Sequence, residues 1–314
     1  MNNSKIKISR EVVIERIYEY MLVNKNIIFL SDDFGAIALD KLRKKFKDRF
    51  INVGIAEQNL INISVGLSLE GFIVYAYGIA PFLTMRPYEQ IRVNLSLLSS
   101  IKDLNVNLIS VGAGLSYDIS GPTHHCLEDI SIINVLPNFI LFSPSDWVLA
   151  EKFIDYSINV NKIKYIRLDG KPLKQIYKNR KIDFEIGFCE IKRGRKVCIV
   201  ATGYMVHTAI KVAKSCSNLD IGIIDIFLLK PFNEELLSKI LKKYEYIITL
   251  EEGFKNKGGL DTLVWNLINR EKLNIKLINL GFENKYIFEV GSREYLHKLN
   301  GLDVNSIIKI IKNI

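Results

Sequence analysis

The sequence predicts an α/β protein of two domains, each a mainly parallel sheet flanked by helices. Three observations carry that expectation. Short apolar runs alternate with amphipathic stretches along nearly the whole chain, and the joins lack hairpin signals, as in parallel sheets covered on both faces. A charged, proline-containing stretch near residues 169–183 divides this alternation into two blocks. A chain of 314 residues with 48% apolar content can bury two cores. The expected division is residues 1–170, a linker at 171–184, and residues 185–314.

In the first block, Val13, Ile14, Ile17, Tyr18 and Met21 recur on one side of residues 10–23, which reads as an amphipathic helix capped by Ser9. Residues 27–30 form a short apolar strand that ends in Ser31-Asp32-Asp33. Polar groups at the carboxyl end of such a strand lie where open α/β sheets place ligands, while one of the two aspartates is expected only to cap the next helix. Strands follow at 50–53, 72–75, 106–111, 139–142 and 164–168, and helices from 56, over 81–98, 128–136 and 145–158, the last capped by Ser145.

The second block repeats the plan, with strands at 197–201, 221–227, 246–250 and 275–280. Helices are expected at 205–215, 233–241, 259–268 and, after a polar turn, 304–311.

Composition excludes several function classes. The formal charge of +9 is spread over most polar faces; only residues 41–47 and 192–196 cluster lysine and arginine, without the interleaved aromatics of a single-strand groove, so nucleic acid is not an expected partner. Cys126, Cys189, Cys198 and Cys216 form no C-x-x-C pair and no metal-ligand spacing; they read as buried thiols of a reduced, cytoplasmic protein. Residues 1–10 lack the apolar core of a signal peptide, and no run is long and apolar enough to span a bilayer, so no membrane association is expected.

The segment from Arg49 to Leu60 concentrates the chemistry. A strand enters a turn at Gly54, and from Ala56 the residues Leu60, Ile61, Val65 and Leu69 recur at helical spacing, which sets Glu57 in the first helical turn. An acid there is ordinarily a solvated partner of the helix dipole, but residues 50–69 are nearly uncharged, and a carboxylate in an apolar layer is costly without a partner. Asp33, Glu57 with the turn from Ile79 to Phe82, and a glycine-rich loop with Gly112, Gly114 and Gly121 ending at His124 all follow successive strands. An acid, an aromatic and an imidazole on one sheet edge suit proton chemistry without naming the reaction; a chance gathering of capping residues is the bland alternative.

Ordered motifs add specificity. The runs FINVGIAEQN at 50–59, PFLTMRPYEQIR at 81–92 and GPTHHCLED at 121–129, then Leu136-Pro137 and SPSD at 143–146, together resemble the second half of transketolases and of deoxyxylulose-phosphate synthases. VATG at 200–203, residues 225–231, and Glu251-Glu252 before Gly258-Gly259 resemble the transketolase carboxyl-terminal domain.

The resemblance implies a thiamine-diphosphate site. Glu57 takes the part of the acid on the aminopyrimidine ring nitrogen, where burial would help it keep a proton to share with the ring. Phe82 matches the aromatic packed on that ring, with Ile79 just before it, and Asp33 is a further cofactor contact. His124 matches a histidine that contacts substrate oxygens and counts with Glu57 as catalytic; His125, His207 and His297 read as structural.

Family enzymes hold the diphosphate and Mg²⁺ on another domain bearing a Gly-Asp-Gly signature, which this sequence lacks; Leu168-Asp169-Gly170 is the nearest string, and no metal ligand is expected on this chain. With the pyrimidine-type domain beginning near Arg10, the expectation is a subunit inactive alone, whose partner polypeptide supplies the diphosphate domain in an α2β2 assembly. Ser120 replaces a family aspartate, Gly112 a basic residue and Gly170 an arginine, with Lys171 as a substitute charge. Together these imply ketol transfer to an unusual aldehyde or keto sugar, a nucleotide-linked one among the candidates, rather than to an ordinary sugar phosphate. The alternatives are a 2-oxo acid dehydrogenase β subunit, a pyruvate-decarboxylating synthase, and a non-catalytic scaffold subunit.

Overall fold

A computed structural model describes residues 5–216 and 218–314. In chain order the elements are β1 (Ile6–Ile8), α1 (Ser9–Val23), β2 (Ile27–Ser31), α2 (Ile37–Lys45), β3 (Phe50–Asn52), α3 (Glu57–Leu69), β4 (Ile73–Ile79), α4 (Ala80–Met85), α5 (Tyr88–Gln90) and β5 (Val106–Val111). Then come α6 (Asp129–Asn134), β6 (Phe139–Phe142), α7 (Trp147–Ser157), β7 (Ile163–Leu168), β8 (Pro172–Lys174), β9 (Phe188–Lys192), β10 (Val197–Ala201) and α8 (Met205–Ser215). The chain closes with β11 (Gly222–Ile226), β12 (Leu228–Lys230), α9 (Glu234–Leu241), β13 (Tyr246–Phe254), α10 (Leu260–Arg270), β14 (Lys276–Phe282), α11 (Arg293–Leu299) and α12 (Val304–Lys312). No helix among the described residues is long and apolar enough to cross a membrane.

Packing divides the chain into two units. Among the described residues, the first holds 5–113, 135–142 and 146–180; the second holds 114–134, 143–145, 181–216 and 218–314. Within 171–184, β8 pairs antiparallel with β1 in the first unit, and Leu173 and Tyr177 are buried.

The first unit is built on parallel strands in the order β6-β7-β5-β4-β2-β3. Strands β2, β5 and β7 are buried at every position, as expected where helices cover both faces. Helix α1 buries Val13, Ile14, Ile17 and Met21 and meets α7, where Arg16 Nε and the Tyr20 hydroxyl both donate to Asp155 Oδ1 at 2.6 and 3.0 Å. A buried amine is tied into this core: Lys164 of β7 donates to Asn105 Oδ1 at 2.8 Å, Val160 O at 2.5 Å and Lys162 O at 2.9 Å.

The second unit has a sheet in the order β14-β13-β10-β11-β9, parallel except for the antiparallel edge strand β9. Apolar faces of its helices cover it; α8 buries Met205, Val206, Ala209 and Val212.

Several local expectations change. The helix expected over 81–98 is broken into α4 and α5, a π-helical stretch Ile91–Leu97 and a tight 3₁₀ turn Leu98–Ser100. Ser9 lies inside α1, whose cap is Ile8, and Asp146 rather than Ser145 caps α7 by accepting the Leu149 N–H at 2.8 Å. The lysine-rich stretch at 41–47 belongs mostly to α2, which buries only Leu39 and Leu42. Cys189 on β9 is half-buried, unlike the other three cysteines.

Lys164→Met keeps a long apolar stem but strips the donor from the buried Asn105 Oδ1 and from two part-buried carbonyls, so unfolding free energy should fall by about 1–3 kcal/mol. A lowered urea midpoint at unchanged denaturant slope is the expected reading; an unchanged midpoint contradicts it.

Candidate active site

Glu57 reaches its place through local geometry. After β3, Gly54 adopts φ +76°, a left-handed conformation that costs glycine nothing, and its N–H is fixed by Asn52 Oδ1 at 2.9 Å. The Ala56 N–H then donates to Gly54 O at 2.8 Å, and α3 begins at Glu57 itself. Its side chain is 7% exposed and meets Arg86 Nη1 through Oε1 at 2.6 Å, whereas Arg86 is 47% exposed. The Arg86 guanidinium also lies over the Phe82 ring, 4.1 Å from its centroid. Pro81 sits in the first turn of α4, where its fixed φ suits a helix start, and that helix sets Phe82 one turn before Arg86.

A second acid lies beside the first. Asp32, at the end of β2, is buried, accepts the Phe34 backbone N–H, and leaves Oδ1 without a hydrogen-bond partner among the described residues. Burial pushes its carboxyl up from 3.8 to about 7, the charge of Glu57 pushes the same way, and Arg86 opposes it. Gly78 on neighbouring β4 makes room: a Cβ there would overlap the Asp32 carboxylate. Asp33 has φ +67°, is exposed, and accepts from Asn52 Nδ2 at 2.7 Å. Neither aspartate caps α2, whose first turn follows Ala36 with no side-chain cap.

The structure thus gathers Glu57, Asp32, Phe82 and Arg86 at the carboxyl ends of β2, β3 and β4, the edge where open sheets bind ligands. Ile79, half-buried, ends β4 and leads into α4. Lys171, also in the first unit, is half-buried, and its N–H donates to Asp169 Oδ1 at 2.7 Å.

His124 and Ser120 belong to the second unit. Residues 114–126 form a loop closed by an antiparallel bridge between Gly114 and Cys126, with paired bonds of 3.0 and 2.9 Å. Ser120 is exposed at the end of a 3₁₀ turn. His124 is half-buried, with Nδ1 3.0 Å from Thr123 Oγ1. The other histidines are tied into the fold: His125 Nε2 to Asp118 O at 3.2 Å, His207 Nε2 to Ser145 O at 2.7 Å and His297 Nε2 to Glu252 Oε1 at 2.7 Å.

The sequence assigns no role to Arg86, and of the two aspartates after β2 it favours Asp33 over Asp32 as the cofactor contact. Gly78 near the end of an otherwise apolar strand was the available signal, since such a glycine marks a close approach. For an aminopyrimidine the first-unit residues fit: a buried acid, an aromatic face and a buried oxygen with its bonding capacity unfilled. No group of three or more His, Cys, Asp or Glu among the described residues is arranged to hold a metal ion.

Comparison with known proteins divides the chain in sequence between residues 173 and 189. Residues 8–173 match the pyrimidine-binding domain of transketolase, and residues 189–307 match the transketolase C-terminal domain. The chain is 32% identical to an apulose-4-phosphate transketolase subunit of Actinobacillus succinogenes, over 90% of this chain and 89% of that one. It is 31% identical to a putative transketolase C-terminal section of Methanocaldococcus jannaschii, over 91% and 90%. Likeness to 1-deoxy-D-xylulose-5-phosphate synthase of Clostridium perfringens, 34% identical, covers 86% of this chain but 43% of that enzyme. Among solved structures, a split gene transketolase described as an inactive β4 tetramer superposes with a TM-score of 0.85 at 28% identity, covering 98% of this chain and 97% of that one.

The raised carboxyl of Asp32 sets a pH dependence. Between its ordinary value of 3.8 and about 7 the folded chain keeps a proton that the unfolded chain has released, so this group's stabilisation is full below that window and lost as pH rises through it. The melting temperature of the wild type minus that of Asp32→Asn should decline between about pH 4 and 7. A flat difference refutes the assignment.

Proposed function

Because the chain belongs to the transketolase family, we propose that it is the pyrimidine-binding subunit of a two-subunit, thiamine-diphosphate-dependent transferase that moves a two-carbon ketol unit to a sugar or other aldehyde or ketone acceptor. The observation that carries this reading is Glu57, buried at a helix start and set beside an aromatic at the ligand-binding edge of the sheet. Two relatives spanned almost end to end are named as a transketolase subunit and a transketolase section, which supports a chain that works as half of an enzyme.

In this reading the Glu57 carboxyl shares a proton with the aminopyrimidine ring nitrogen. Phe82 and Ile79 wall the ring and exclude water, and Asp32 Oδ1 supplies a buried acceptor that nothing else among the described residues satisfies. Asp33, held by Asn52, borders the same edge. Thiamine diphosphate, when bound, supplies the carbanion chemistry that makes and breaks the carbon–carbon bond. A partner polypeptide would furnish the diphosphate and Mg²⁺ ligands, in an α2β2 assembly. His124 would contact substrate oxygens, with Ser120 and Lys171 as the further substrate contacts.

The Arg86 pair with Glu57 bears on how the acid is held. A surface ion pair contributes about 0–1 kcal/mol, but here the carboxylate is desolvated, and removing its cation would leave a buried charge uncompensated. Arg86 therefore steadies the acid against the apolar layer.

Ketol transfer between a ketose donor and an aldose acceptor, with thiamine diphosphate and Mg²⁺ supplied, should require both this chain and the diphosphate-binding polypeptide; robust turnover by this chain alone defeats the split reading. In the complex, Glu57→Gln should lower kcat at least about 100-fold and weaken thiamine diphosphate binding measured by calorimetry. A Glu57→Gln complex with unaltered kcat would instead mark a scaffold subunit, and release of CO₂ from pyruvate a decarboxylating synthase.

A further inference from the structure

The second unit buries a charge network that the proposed chemistry does not use. Arg293, the first residue of α11, and Glu252, on β13, are almost fully buried and joined in a two-pronged pair: Nε donates to Oε1 at 2.7 Å, and Nη2 donates to Oε2. Burial pushes the Glu252 carboxyl up, but the charge and hydrogen bonds of Arg293, with His297, prevail and hold it well below the usual carboxylate range. The guanidinium also lies over the Tyr204 ring, 3.7 Å from the centroid.

This network grips the loop of residues 114–126. At the base, Glu252 Oε2 accepts the Leu115 N–H at 3.4 Å, and the same carboxylate occupies the space a side chain at Gly114 would need. Gly114 has φ +57°, so the approach requires glycine twice over. In the middle, the Arg293 backbone N–H donates to Asp118 Oδ2 at 2.7 Å, while Asp118 Oδ1 accepts the Ile119 N–H at 2.9 Å. His125 Nε2 meets Asp118 O at 3.2 Å and ties the returning arm to the outgoing one. The tip between these ties carries exposed Ser120 and half-buried His124.

We propose that Asp118, Arg293 and Glu252 form a clamp that fixes the loop presenting His124 and Ser120, acting as positioning residues for substrate contact. The inference rests on the substrate role given to His124 under the proposed function. Its physical basis is that buried ion pairs are weak sources of net stability compared with apolar packing, whereas an unpaired member is strongly unfavourable. The network therefore allows few loop conformations other than the one that satisfies all its members.

Two measurements test it, one of them independent of turnover. In the full chain, Asp118→Ala should speed amide hydrogen exchange across residues 115–125 by about 10- to 100-fold, the factor expected for losing a hydrogen bond to a charged group, while Asp118→Asn, whose single amide oxygen can accept only one of the two backbone N–H groups, restores part of the protection. In the complex with the partner polypeptide, Asp118→Ala should lower ketol-transfer turnover in the wild-type background, but by less than about twofold further in a His124→Ala background. Unchanged exchange, or turnover losses that multiply in full, overturns the clamp. His124→Ala with intact turnover removes the substrate role instead, and the exchange measurement still judges whether the loop is clamped.

Discussion

Two neighbouring buried carboxyl groups, and the half-exposed cation paired with one of them, set the terms for the first unit. Glu57 and Asp32 cannot both ionise cheaply in an apolar edge, because each charge raises the cost of the other. Arg86 meets one charge directly, and Asp32 responds by keeping its proton to about neutral pH. Surrounding features serve this arrangement: Gly54 turns the chain so that α3 starts on the acid, and Pro81 starts the helix that sets Arg86 over Phe82. Arg86 thus pairs with one acid while its neighbour is held protonated to about neutral pH, a separation of roles that a single exposed carboxylate could not provide.

The second unit answers the same electrostatic problem by full enclosure. Glu252 is as buried as Glu57, but its cation is buried too, and its hydrogen bonds reach a loop backbone as well as side chains. Arg86 keeps one side in water, while Arg293 has almost no exposure. The half-open pair suits a site that must admit a ligand. The closed one suits a fixed frame.

Much of the fold was legible because strong periodicity and full burial coincide. Helix α8 runs over the expected residues 205–215, and the strands at 106–111 and 197–201 have the expected bounds. Weak patterns failed where the physics lay elsewhere. Strand β1 and its partner β8 are three residues each and depend on pairing with a distant segment, which no local pattern records. Helix α2, expected after Asp33 but without bounds, is mostly charged and buries two leucines, so its amphipathic stripe does not mark its ends. Helix α11 begins at a buried arginine, which a hydropathy pattern counts as exposed. Glu57 was legible from the uncharged residues around it. Choosing between Asp32 and Asp33 was not, because which carboxyl turns inward depends on the left-handed backbone at residue 33 and on the space left by Gly78.

The contact between Gly78 and Asp32 also constrains how this chain can diverge. The two residues lie on neighbouring strands, β4 and β2, and the carboxylate of one fills the volume that any side chain on the other would take. Substitution at 78 is obstructed while the acid remains, and loss of the acid leaves a void that only then accepts a methyl group or more. The pair should therefore drift as one inherited unit, and a relative with a larger residue at 78 would show covariation at 32.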